Sequence, residues 1–224
     1  MNRIVSFIRK RKYEVLLVAL IQHLFVGIFL SDLTFYTQVI WPINMLILGV
    51  ASIGVFMGKS VLKTTIKNSL FVIVLLLPIG LPFFGHLPYY FQVLNMLYVL
   101  FFLYILWEVM RFLIKPSYIN ADIISASACG YFLLIEISVF LLQYFVYENP
   151  SSFKGVSTSN PAETFMDLVY FCSVTLTSIG FGDVTPNAYS TKLVASLIGI
   201  VGQFYSVILV GILISKFASR TSEK

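Results

Sequence analysis

Long apolar runs broken by short polar clusters dominate the chain. Six of them, residues 13–30, 39–57, 69–84, 89–114, 122–147 and 191–217, are long enough to cross a bilayer, at roughly 20 residues per helical span. They lack the period-two alternation of a membrane strand, so helices are predicted, the alternative to a closed barrel. A shorter apolar stretch, residues 164–176, lies between the fifth and sixth runs and reads as a re-entrant helix.

Composition agrees with that pattern. The chain has 224 residues, 58% hydrophobic and 11% charged, far more apolar surface than a soluble domain could hide. An all-α integral membrane protein is predicted. Of the 15 basic residues, all but Lys154 and Lys192 fall before span one, after span two, at the end of span four, or at the end of span six and beyond it. Positive residues gather on the cytoplasmic side, which places both termini in the cytoplasm of a multi-pass protein of the cell membrane. The net charge of +5 therefore needs no nucleic-acid partner. The basic start followed by an apolar run could be a signal peptide, but no small-x-small site closes it, so it reads as a retained span. Cys129 and Cys172 both lie in apolar segments and are expected to be buried hydrophobes, with no disulfide.

The most specific chemistry lies in residues 160–183. Asn160 suits an N-cap, Pro161 the first helical position and Glu163 the acid three residues after the cap, so a helix of three to four turns should start there and end near Thr175. Its C-terminus carries about half a negative charge directed toward the membrane centre. The run Thr-Leu-Thr-Ser-Ile-Gly-Phe-Gly-Asp, residues 175–183, follows. Gly180 and Gly182 tolerate dihedrals that a side chain forbids, which lets a backbone hold its carbonyl oxygens in a file able to strip water from a cation.

That run resembles the selectivity filter of the potassium channel family, usually Thr-Val-Gly-Tyr-Gly-Asp, in which rings of backbone carbonyls take the place of the ion's hydration shell. The resemblance implies potassium coordination by the carbonyls of Ser178, Ile179, Gly180 and Phe181, with the Ser178 hydroxyl as the innermost ring. Gly182, Thr175 and Thr177 match the family's supporting positions, and Asp183 matches the acid at the outer mouth. Ser178 replaces the usual threonine, keeping the oxygen and losing the methyl. Phe181 stands where Tyr is usual and Phe171 where Trp is frequent, so both polar tips are missing. The filter is then expected to rely on apolar packing, with easier inactivation or weaker rejection of sodium. One chain carries one filter, and the family's ring needs four, which implies a fourfold cyclic homotetramer with the ion path on its axis.

In the sixth span, Gly202 falls where the family's hinge glycine sits, although glycines also serve close packing in membrane helices. Helical spacing from Gln203 puts Ser206, Val207, Val210 and Ile214 near one face. If that face looks at the axis, Gln203 and Ser206 wet a cavity and Val210 and Ile214 form an apolar gate.

Four spans ahead of a two-span pore match the layout of voltage-gated channels, whose fourth span carries an arginine ladder. Here that span has only Glu108 and Arg111, three apart and able to pair. A charge crossing the whole field is worth about 2.3 kcal/mol per 100 mV, and steep gating takes three or four per subunit, so it is not expected. The aromatic residues of span four are expected to pack against lipid and neighbouring helices. Glu136, mid-span five, is a candidate proton-sensitive residue or a structural hydrogen-bond partner. His23, Gln22, Asn44, Gln92 and Asn95 are expected to make interhelical contacts. His86 is placed in an external loop.

These readings divide the chain into a basic cytoplasmic start (1–12), a four-helix voltage-sensor-like bundle (13–115), a pore domain of outer helix, re-entrant pore helix, filter and inner helix (116–217), and a short cytoplasmic tail (218–224). The seven residues after 217 lead to the expectation of no appended sensing module. The function read from the sequence is passive potassium-selective conduction, with homotetramer, lipid and potassium ions as partners and no cofactor. A weakly selective cation channel and a silent regulatory subunit are the alternatives. A potassium transporter subunit would want four copies of the helix-filter-helix unit. No P-loop, zinc spacing or nucleophile-base arrangement points to an enzyme.

Overall fold

The computed structural model describes residues 11–55, 72, 76, 80, 89–114 and 121–221. All of the third predicted span but residues 72, 76 and 80, the basic residues at 1–10, 59, 63, 67 and 115, His86 and the last three residues of the tail lie outside these. Among the described residues, five helices are long and apolar enough to cross a membrane, at five of the six predicted places.

Helix α1 (Lys12–Phe25) continues through a tighter turn, Val26–Phe29. Helix α2 (Trp41–Ile53) is reached through a short turn, Leu33–Phe35, and a widened one, Tyr36–Ile40. This span begins earlier than residue 39 because Asp32 caps it: its Oδ1 accepts from the Thr34 and Phe35 amides at 2.9 and 3.0 Å. The widened turn has a cause in Pro42, which lacks an N–H and crowds the carbonyl of Gln38 one turn back. Helices α3 (Tyr90–Leu113), α4 (Ala121–Glu148), α5 (Pro161–Leu176) and α6 (Tyr189–Thr221) follow. Strands β1 (Phe153–Lys154) and β2 (Thr185–Pro186) pair antiparallel and tie the loop before α5 to the loop after the glycine run.

Helix α4 is the hub, with α3 lying along it and α1, α5 and α6 packed around it. Apolar attraction is weak between helices in lipid, so close side-chain packing must hold them. Phe140 of α4 is the centre of that packing: its ring meets Phe102 and Tyr98 of α3 at 5.6 and 4.8 Å and Phe165 of α5 at 5.9 Å. The α3 aromatics therefore divide, with Tyr98, Phe101 and Phe102 in the core and Tyr89 and Trp107 exposed. Small residues supply the closest approaches. A Cβ on Gly130 would lie 2.0 Å from the Tyr205 hydroxyl of α6, which donates to the Ser127 carbonyl at 2.7 Å.

The expected interhelical polar contacts form in three cases. Gln22 donates to Asn44 at 3.2 Å, Gln92 to the Tyr147 carbonyl at 3.2 Å, and His23 Nδ1 lies 2.8 Å from Glu136 Oε1. Asn95 corrects the expectation, because its amide donates to the Phe91 carbonyl one turn back on its own helix. Cys129 and Cys172 are buried and form no disulfide. The apolar stretch is 72% buried in α4 but 11% buried in α6, so α6 presents most of its apolar surface outward.

Candidate ion-conduction site

The candidate site begins at the cap of α5. Asn160 Oδ1 accepts from the Ala162 amide at 2.8 Å, and Pro161 opens the helix as its sequence requires. Glu163 does not close the reciprocal capping box. Its carboxylate accepts instead from the Ser157 and Ser159 hydroxyls, and these bonds hold it below the usual carboxylate range. The loop ahead of the helix is thereby fastened to its first turn, with the Ser157 amide donating to Asp167 at 2.7 Å.

At the other end the helix hands over to the glycine run through its last carbonyls. Thr177 caps the helix, its amide and hydroxyl both reaching the Ser173 carbonyl, at 3.1 and 2.7 Å. The Ser178 amide reaches the Thr175 carbonyl at 3.0 Å, and the Ile179 and Gly180 amides share the Val174 carbonyl at 2.9 and 3.1 Å. The loop N–H groups thus turn back onto the helix end.

Backbone handedness then alternates. Ser178, Gly180 and Gly182 have φ of +61°, +55° and +81°, while Ile179 and Phe181 between them keep ordinary negative values. Alternation cancels the twist that a single-handed run would build up, so N–H groups collect on one side of the strand and carbonyls on the other. Nothing lies within 4 Å of a Cβ built on Gly180 or Gly182. Left-handed backbone, not crowding, is what calls for glycine there.

The outer end of the run carries a polar brace that sequence reasoning missed. Tyr170 donates its hydroxyl to Asp183 Oδ2 at 2.7 Å, and its ring lies parallel to that of Phe181 at 6.3 Å. The bond holds the Asp183 carboxyl below its usual value and pushes the Tyr170 phenol up. The expectation of support by apolar packing alone is therefore corrected: the polar tip comes from Tyr170, one residue before Phe171. Phe171 turns inward instead, buried edge-to-face against Phe153 at 5.2 Å. The signal in the sequence was a hydroxyl-bearing ring on the pore helix, adjacent to Phe171.

At the inner end, Ser178 receives a hydrogen bond from the Gln203 carboxamide of α6. Both line a cavity of about 560 Å³ together with Thr175, Gly199, Phe204 and Val207. Val210 and Ile214 lie exposed one and two turns farther along the helix. The Ser206 hydroxyl donates to the Gly202 carbonyl at 3.0 Å. Gly202 itself is a point of close packing, because a Cβ there would lie 2.2 Å from Leu176 Cδ2 at the end of α5. Glu136 is distant from this cavity in role: fully buried, it meets His23 of α1 beside Phe165.

The oxygen donors gathered here are carbonyls, hydroxyls and one carboxylate, a hard set suited to hard cations rather than to zinc or copper. Among the described residues, no three His, Cys, Asp or Glu side chains gather to hold a metal ion.

Comparison with known proteins gives the same segment. A family model described as ion channel matches residues 129–219, from within α4 through α6. Two-pore potassium channel 1 of Arabidopsis thaliana is 32% identical over 93 residues, 42% of this chain and 23% of that protein. Two pore potassium channel a of Oryza sativa subsp. japonica is 32% identical over 95 residues, 42% of this chain and 24% of that protein. Human potassium voltage-gated channel subfamily KQT member 3 is 29% identical over 106 residues, 47% of this chain and 12% of that protein. The chain thus spans a quarter or less of the curated relatives it matches, and no solved structure matches it. These relatives are ion channels and not enzymes. The capped helix α5, the alternating glycine run after it and α6 thus lie in the stretch that is similar to the ion channel family model and to these potassium channels.

Proposed function

We propose that four copies of this chain surround a common axis and conduct potassium passively and selectively across the cell membrane. Each copy contributes six spans with both termini cytoplasmic. The observation that carries the reading is the alternating handedness of the backbone at residues 178–182, directly after a capped helix; such alternation turns N–H groups to one side and carbonyls to the other. The carbonyls of Ser178, Ile179, Gly180 and Phe181 replace the ion's water shell, Thr175 and Thr177 anchor the run to α5, and Asp183 closes the outer mouth. Helix α5 directs its negative end at the axis and favours a dehydrated cation there.

Two features support assembly. The residues of the run are exposed in the single chain, Ile179 at 57% and Phe181 at 69%. Exposed apolar residues of α6 outside the cavity, including Leu197, Val201 and Ile208, are of the kind that helix contacts between copies cover. On the axis side, Val210 and Ile214 form an apolar constriction that closes by dewetting, with movement of α6 centred on Gly202. Gating is not steeply voltage-dependent, since α3 carries only Glu108 and Arg111, 3.7 Å apart. A weakly selective cation channel is the second reading. It is favoured by Phe181, whose ring has no hydroxyl to anchor it.

Liposome flux tests the proposal. Purified protein should release trapped potassium but retain sodium, with barium stopping the release. Equal release of both ions would support the second reading, and no release of either, with the protein inserted as a tetramer, would support a silent subunit.

A further inference from the structure

The bond between Gln203 and Ser178 joins two elements whose meeting the glycine at 202 makes possible. Because Gly202 has no side chain, α6 approaches the end of α5 closely enough for a Cβ at 202 to collide with Leu176. The next residue, Gln203, then reaches the Ser178 hydroxyl with its carboxamide. Ser178 sits where its backbone is fixed, with left-handed φ and its amide bound to the Thr175 carbonyl. Its side chain has no such constraint. Threonine is stiff about χ1 because two heavy atoms branch from Cβ, whereas serine chooses among three staggered positions.

We infer that Gln203 is a positioning residue for the innermost coordinating ring, holding the Ser178 hydroxyl in the rotamer that faces the ion path. A hydroxyl has one proton to donate and two lone pairs. A carboxamide N–H on one lone pair leaves the second for a cation and turns the hydroxyl proton elsewhere. Gln203 thus does for serine what the β-methyl does for threonine. The cavity of about 560 Å³ that both residues line puts this contact at the cytoplasmic entrance to the run. The inference rests on the potassium-filter reading and adds to it a chain-specific requirement: serine at 178 and glutamine at 203 depend on one another.

A double-mutant cycle tests the dependence in the full-length channel. Internal barium, a divalent ion of potassium's size, is applied in planar bilayers to the wild type, Gln203→Leu, Ser178→Thr and the double variant. Gln203→Leu should weaken barium block about tenfold in the serine background, the scale of one hydrogen bond to an ion-coordinating group. In the Ser178→Thr background the same change should move block by less than about twofold. Gln203→Asn, one methylene too short to reach, should behave as Gln203→Leu does, and it serves the cycle if the leucine variant does not assemble. Equal shifts in both backgrounds would overturn the inference by making Gln203 an independent feature of the cavity, as would no shift in either. A wild-type current reversing near zero under opposed potassium and sodium gradients would overturn the filter reading itself and this inference with it. A potassium-selective wild type with additive shifts would overturn the inference alone.

Discussion

The pore segment and the spans ahead of it are built from equally apolar helices, but they place polar groups in opposite ways. Along the glycine run and the stretch of α6 beside it, polar side chains lie on the surface of the single chain: Thr177, Ser178, Asp183 and Gln203 are all exposed and bonded to one another or to nearby backbone. Ahead of it, the polar groups are buried at helix contacts, with His23, Asn44 and Glu136 at 2% exposure or less. Burying a polar group in a bilayer is costly unless it is paired, so the second arrangement fastens helices together, and under the proposed function the first serves a passing ion. His23 and Glu136 are the strongest such fastening. They join α1 to α4 and lie against Phe165, so the span farthest from the pore in sequence touches the helix that carries the glycine run.

The largest expected effect breaks the pore side of this comparison. Gly180→Ala puts a side chain on left-handed backbone at a cost of about 1–2 kcal/mol in each subunit. Because nothing crowds the site within the single chain, each copy should still fold while current is lost, as bilayer recording together with size-exclusion chromatography will show. Full current in Gly180→Ala would mean that the alternating backbone is not what conducts.

His23→Ala attacks the other side. Removing one partner of a buried pair costs about 3–5 kcal/mol by leaving the other unsatisfied, so thermal unfolding should move down markedly. Glu136→Gln keeps a hydrogen-bonding partner for the imidazole and should cost much less. If the pair also governs opening by its proton, Glu136→Gln flattens the pH dependence of current. An unchanged pH profile would leave the pair purely structural.

Tyr170→Phe is a smaller, more specific change. In the folded chain the Asp183 carboxyl is held below its ordinary value by the tyrosine hydroxyl, so the brace is intact at neutral pH and is lost only as external pH falls through that lowered value. Without the hydroxyl, Asp183 should titrate nearer the ordinary value of about 3.9. The variant should inactivate faster at neutral pH and lose current at a higher external pH than the wild type. Overlapping profiles would remove Asp183 from the control of the outer mouth.

The smallest effect is expected at Arg111, half-exposed beside Glu108. An exposed pair of this kind is worth at most about 1 kcal/mol, so Arg111→Gln should leave stability and the conductance–voltage slope, itself expected to be shallow, nearly unchanged. A large flattening of that slope would restore a sensing role to α3.

The same contrast explains what the sequence made legible. The pore helix, its cap and the glycine run are local features, each determined by residues within a turn or two, and the structure places α5 from Pro161 as the cap implies. Apolar runs likewise located α1, α3, α4 and α6 to within a few residues. The start of the second span, at Leu33, was missed because Asp32, which caps its first turn, lies outside the apolar run. Contacts between residues far apart were out of reach: His23 and Glu136 are separated by 113 positions, and Gln203 and Ser178 by 25. Tyr170 was overlooked for another reason. The family pattern drew attention to Phe171, while the side chain that meets Asp183 is set by helix rotation, which one residue of offset changes by about 100°.

The most direct test of the central claim is the reversal potential of the purified wild type in planar bilayers with potassium on one side and sodium on the other. The account predicts reversal near the potassium equilibrium potential, with internal barium abolishing the current. A reversal near zero with current persisting in barium would contradict it.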